Sequence, residues 1–118
     1  MTAAEVLGIF TDYLEKDQAI EVVITHRWGI TVLYNTEEDD LEKPVIRALT
    51  PQTPEALARA LFVAELSYIY REELGQTDAA EFASRDVRAE VMSRIEPHLS
   101  RLPWPMTECV NVFWGREV

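Results

Sequence analysis

The stretch from Thr53 to Gly75, TPEALARALFVAELSYIYREELG, constrains this chain more than any other. Its ends carry strong helix signals. Thr53 is a good N-cap, Pro54 suits the first helical position where its missing N–H is not needed, and Gly75 suits the left-handed residue after the last turn. Between them, Leu57, Ala60, Leu61, Phe62, Val63, Ala64, Leu66, Tyr68 and Ile69 spread around the helix instead of along one stripe. The spacing therefore predicts a central helix over 54–74, packed on more than one side. A membrane span is excluded, because the apolar core runs only from Ala60 to Tyr70 and contains Glu65, whereas a bilayer needs roughly 20 apolar residues.

Residues before this helix change period twice. Thr2 followed by Glu5 forms a capping-box pattern, and Val6, Ile9, Phe10, Tyr13 and Leu14 recur at helical spacing, which predicts one amphipathic helix over 3–16. Gly8 weakens its middle by about 1 kcal/mol unless a close neighbour needs a small residue there, and close packing is the expectation. From Ile20 the period is two: Ile20, Val22, Ile24 and His26 alternate with Glu21, Val23, Thr25 and Arg27. Trp28-Gly29 makes a turn, and Ile30 to Asn35 alternate again, so 20–35 reads as an antiparallel hairpin. Thr36 to Lys43, TEEDDLEK, reads as a loop, and Val45 to Leu49 as a third strand over 45–49.

After Gly75, Thr77 and Asp78 offer caps, and Ala80, Ala83, Val87, Val91 and Ile95 step by three and four, predicting a helix over 78–96 that Pro97 ends or kinks. Leu99 and Leu102 extend it as a short turn before Pro103-Trp104-Pro105 forces an extended course. The run 107–114 alternates Glu108, Val110, Val112 and Trp114 with Thr107, Cys109, Asn111 and Phe113, and reads as a C-terminal strand. The predicted class is α+β: a small, largely antiparallel sheet packed on the central helix, in a single acidic domain spanning 1–118.

No motif identifies an activity. The two histidines, His26 and His98, stand without HExxH, a Gly-rich phosphate loop, GxSxG or paired cysteines, so neither a catalytic residue, a metal ligand set nor a cofactor is predicted. Cys109 is the single cysteine and reads as a small hydrophobe in the last strand. With no basic-then-apolar leader pattern and no internal disulfide, a reducing cytoplasmic setting is the expectation. Twenty-one acidic residues against 11 basic give a net charge of −10, which repels free nucleic acid and anionic membrane.

The charge and the missing motifs together predict a non-enzymatic protein-binding module: an acidic inhibitor, such as an immunity-type protein or an antagonist of a nucleic-acid-binding enzyme. The expected partner is a larger basic protein. Its expected contacts are the acidic run Glu37, Glu38, Asp39, Asp40 and Glu42, which imitates a nucleic acid's charge, with Trp28 and Trp104 as aromatic anchors. The run lacks the spaced ligands and central glycine of an EF-hand, so calcium is not expected. Two alternatives follow: an assembly protein whose sheet edges pair with a copy of itself or with another subunit, and an enzyme using His26 with carboxylates.

Overall fold

The computed structural model describes residues 1–27, 29–36 and 45–115. The elements run α1 (Ala3–Ile9), α2 (Thr11–Lys16), β1 (Ile20–His26), β2 (Gly29–Thr36), β3 (Val45–Leu49), α3 (Pro54–Tyr68), α4 (Arg85–Leu99) and α5 (Thr107–Phe113). A π turn, Ile69–Glu73, follows α3, and a 3-10 turn, Ala80–Phe82, precedes α4. The class is α+β, with five α-helices and a three-stranded antiparallel sheet among the described residues. The chain divides into two units, Met1–Leu57 and Ala58–Val118, with the boundary inside α3.

In the N-terminal unit the capping box forms as its residues require. Glu5 N donates to Thr2 Oγ1 at 3.2 Å, and Thr2 N donates to Glu5 Oε1 at 3.1 Å. That backbone donor, followed by the Thr2 side chain, holds the Glu5 carboxyl below its ordinary pKa. The predicted single helix over 3–16 is two helices, joined at Phe10 with φ −94° and ψ 10°. Thr11 Oγ1 donates to the Leu7 carbonyl at 3.0 Å, a side-chain back-bond that bends helices. Gly8, expected to be closely packed, faces open space: a Cβ there would meet nothing within 4 Å. Asp17 closes α2, accepting from Tyr13 Oη at 2.5 Å and from Ala19 N at 2.9 Å.

The sheet has the order β1-β2-β3, both pairs antiparallel, so the hairpin and the third strand take the predicted places. The β1 register slips between Ile20 and Val22, where Ile20 pairs with Tyr34 but Val22 pairs with Leu33. This bulge corrects the simple alternation, because it moves Ile20 to the face shared by Val23, Val32 and Ile30. Val32 and Ile30 are buried on that face. Pro51 O accepts from Ile30 N at 3.3 Å, which brings the approach to α3 beside the hairpin.

α3 begins as its signals dictate, with Ala56 N donating to Thr53 Oγ1 at 3.1 Å. Beyond the boundary, Ala58, Leu61, Phe62, Leu66, Ile69 and Tyr70 are buried, together with Val91, Ile95, Met106 and Trp114. Leu74 N bonds the Ile69 carbonyl at 2.9 Å and Gln76 N the Tyr70 carbonyl at 3.1 Å, while Gly75 takes φ +65° to end the run.

The helix predicted over 78–96 begins later and ends later, at Arg85 and Leu99. Ser84 is its N-cap, accepting from Val87 N at 3.2 Å. In a continuous helix the Glu81 and Ala83 carbonyls would accept from Arg85 N and Val87 N. Here both accept from the Arg88 side chain instead, at 2.8 and 3.1 Å, so the 3-10 turn and the helix are separate. Pro97 does not end α4, because it sits in the last turn and Ser100 N still reaches the Glu96 carbonyl at 2.9 Å.

The largest correction concerns 107–114, which is not a strand but the helix α5. Its valines and aromatic residues favour strands. The same segment also carries Met106, Val110, Phe113 and Trp114 at helical spacing, and Met106 and Trp114 are buried by that winding. Cys109 therefore lies on a helix, half-buried, with its Sγ 3.6 Å from the Arg59 guanidinium.

Candidate functional site

Of the predicted contact residues, Glu37, Glu38, Asp39, Asp40, Glu42 and Trp28 lie outside the described residues. Trp104 is half-buried between its two prolines. His26 is exposed at the end of β1, with Nε2 2.9 Å from Thr31 Oγ1 on the neighbouring strand. Trp104 is thus the one predicted contact residue whose surroundings are described.

The polar groups that do converge belong to the C-terminal unit, where side-chain hydrogen bonds join Glu65 to His98, Arg59 to Cys109 and Glu73 to Arg94 across 21 to 50 residues of sequence. Glu65, 5% exposed, is the only buried charged residue among the described residues. His98 Nδ1 lies 2.5 and 2.9 Å from its two carboxylate oxygens. A carboxylate removed from water needs a compensating donor, and the imidazole supplies one from α4 to α3. When the ring is neutral this bond keeps its proton on Nδ1, the orienting role that a carboxylate plays for histidine in many sites. One sequence signal pointed here: a lone glutamate inside an apolar run. Its partner, His98, was visible as one of two histidines, but nothing in the sequence tied it to a glutamate 33 residues away.

The second convergence surrounds Trp114. Tyr70, Phe113 and Trp114 meet edge to face, with ring centroids 4.8 to 6.1 Å apart. Arg88 stands over the Trp114 ring at 5.3 Å while its N–H groups reach the Glu81 and Ala83 carbonyls. Gly115, at φ +74°, turns the chain where Glu81 comes close; a Cβ there would lie 2.7 Å from Glu81 Cβ. Only glycine fits both the angle and the space. On the surface of the same unit, Arg94 links Glu73 and Glu90 at 3.0 and 2.9 Å. Hydrogen bonds to Glu90 and then Glu73 raise the Arg94 pKa further.

Among the described residues no three His, Cys, Asp or Glu side chains group as a metal ion would need, and no helix is long and apolar enough to cross a membrane. No protein-family model, no curated protein and no solved structure matches the chain.

Proposed function

We propose that this chain is a non-enzymatic protein-binding module, an acidic inhibitor that engages a basic surface of a larger, nucleic-acid-handling partner in the cytoplasm. The supporting observation is where its charge lies. Residues 1–57 carry 11 acidic and 4 basic residues, whereas 58–118 carry 10 and 7. Most of the excess, seven of the ten charges, therefore belongs to the N-terminal unit, where Glu5, Asp12 and Glu15 are exposed on α1 and α2 and the run Glu37 to Glu42 contributes five carboxylates. A concentrated negative field speeds encounter with a basic surface and is screened within about 8 Å at physiological salt.

The test is a pull-down from native lysate with the tagged chain, washed at low and at high salt, beside a variant with Glu37, Glu38, Asp39 and Asp40 all replaced by Ser. Retention of a basic protein by wild type at low salt, lost with salt and captured more slowly by the variant, supports the reading. Equal capture by the variant at low salt removes the run as the contact.

A second reading, assembly through sheet edges, draws on β1 and β3. Both are outer strands of the sheet, and each exposes an apolar side chain, Ile24 at 44% and Leu49 at 43%. Light scattering separates the two readings, because a monomer at high micromolar concentration opposes self-association.

A further inference from the structure

Phe82 is 73% exposed, more than any other large apolar side chain among the described residues. It stands in a turn that leaves it little freedom. The Ala79 carbonyl accepts from Phe82 N at 3.0 Å and from Tyr70 Oη at 3.4 Å, and the Ala80 carbonyl accepts from Ala83 N at 3.0 Å. Arg88 donates to the carbonyls of Glu81 and Ala83, one on either side of Phe82. The groups that hold the turn are themselves fixed: Tyr70 and Trp114 are buried, and Arg88 rests on the Trp114 ring.

An aromatic ring held out in water by so many bonds to its own main chain is pre-organised for contact, since little conformational freedom remains to be lost on binding. Its surroundings indicate the chemistry of the occupant. Asp78, Glu81 and Asp86 are exposed within four residues of Phe82, with Arg85 as the one exposed cation in that interval. Val112, 63% exposed, lies one turn before Gly115, which abuts Glu81. A second copy of the chain would bring acidic collar against acidic collar. A cleft with an apolar floor and a rim of lysine or arginine fits both the ring and the collar.

We infer that the Ala79–Ala83 turn presents Phe82 as the anchor of a protein contact, inserted into an apolar cleft rimmed by lysine or arginine on a partner protein. This rests on the reading of the chain as a protein-binding module, but it uses the C-terminal unit and none of the residues Glu37 to Glu42.

The experiment places the photoreactive residue benzoylphenylalanine at position 82 of the full chain and irradiates it in native lysate. Unlabelled competitors are added in excess: wild type, Phe82→Ala, Asp78→Ser with Asp86→Ser, and the Glu37 to Asp40 serine variant. Phe82→Ala leaves the bonds to Arg88 in place, because they end on main-chain carbonyls, and an unchanged melting midpoint verifies its fold. The expected result is one adduct, mapped to a partner surface with lysine or arginine around the linked residue. Wild type suppresses it, and Phe82→Ala does so at least about ten-fold less well. The double Asp variant competes less well at low salt and equally at high salt. No adduct, an adduct of the chain with itself, or equal competition by Phe82→Ala overturns the inference. Weakened competition by the Glu37 to Asp40 variant alone would leave the acidic-run contact standing and remove this one, so the two proposals fail separately.

Discussion

The two units hold themselves together differently. In Met1–Leu57 the ties are local or lie along strand ladders: a capping box between residues three apart, Tyr13 to Asp17 four apart, and the two antiparallel pairings. In Ala58–Val118 most elements are helices, and side chains do the joining: Glu65 to His98, Arg59 to Cys109, Arg94 to Glu73 and Arg88 to Trp114. Charge follows the same division. The C-terminal unit sets arginines against carboxylates, carbonyls and rings, while the N-terminal unit carries most of the acidic excess. A ladder satisfies main-chain groups without help from side chains, whereas helices satisfy their own main chains and need side chains to fix their mutual positions. The N-terminal surface is correspondingly less constrained in its choice of charge.

Loss of one partner of the buried pair strikes hardest at the C-terminal unit's side-chain ties. His98→Ala leaves Glu65 without that donor and is expected to cost about 3–5 kcal/mol in urea unfolding, with Glu65→Ala in the same range. A loss below about 1 kcal/mol would mean that the pair is dispensable and the unit is held by apolar packing. Next in size, Gly115→Ala combines a left-handed backbone angle with the approach of Glu81. It is expected to cost about 2 kcal/mol in thermal melts, and a neutral result would show that the last turn of α5 can move aside.

In the N-terminal unit the effects are smaller, and one has the opposite sign. Gly8→Ala adds a methyl group into open space on α1 and is expected to stabilise by about 0.5–1 kcal/mol, read as a rise in melting temperature; a fall would expose a neighbour at Gly8. The smallest effect is a dependence on acidity. The folded pKa of Glu5 lies below its unfolded value, so its contribution is present above the unfolded pKa and is lost as pH falls through the folded one. Glu5→Gln should therefore shallow the acid limb of the stability curve by lowering stability slightly at neutral pH, where the carboxylate contributes, while matching wild type at low pH, where it does not; an identical acid limb would disprove the carboxylate's role in the capping box.

What could be read from the sequence depends mainly on how near to one another the determining residues lie. Thr2 with Glu5, the hairpin, the strand at 45–49, and Thr53 with Gly75 all announce themselves through neighbours within a few residues, and each is found. The break before Ser84 was hidden, because it depends on Arg88 taking carbonyls that local propensity assigns to a helix. Segment 107–114 fits both periods, and burial of Met106 and Trp114 chose between them. Glu65 and His98 could be noticed singly but not paired, and the exposure of Phe82 was masked by reading it into a continuous helix.

The bulge in β1 makes the two outer strands of the sheet unequal. A visiting strand laid along β1 would lose its register between Ile20 and Val22, and side chains that matched on one side of the slip would point the wrong way on the other. Along β3 the pairing with β2 advances residue by residue from Val45 to Leu49 without a slip, so five consecutive residues keep the regular spacing an added strand requires. If this sheet is ever extended, geometry directs the newcomer to β3, and the irregularity in β1 guards the opposite side against the same event.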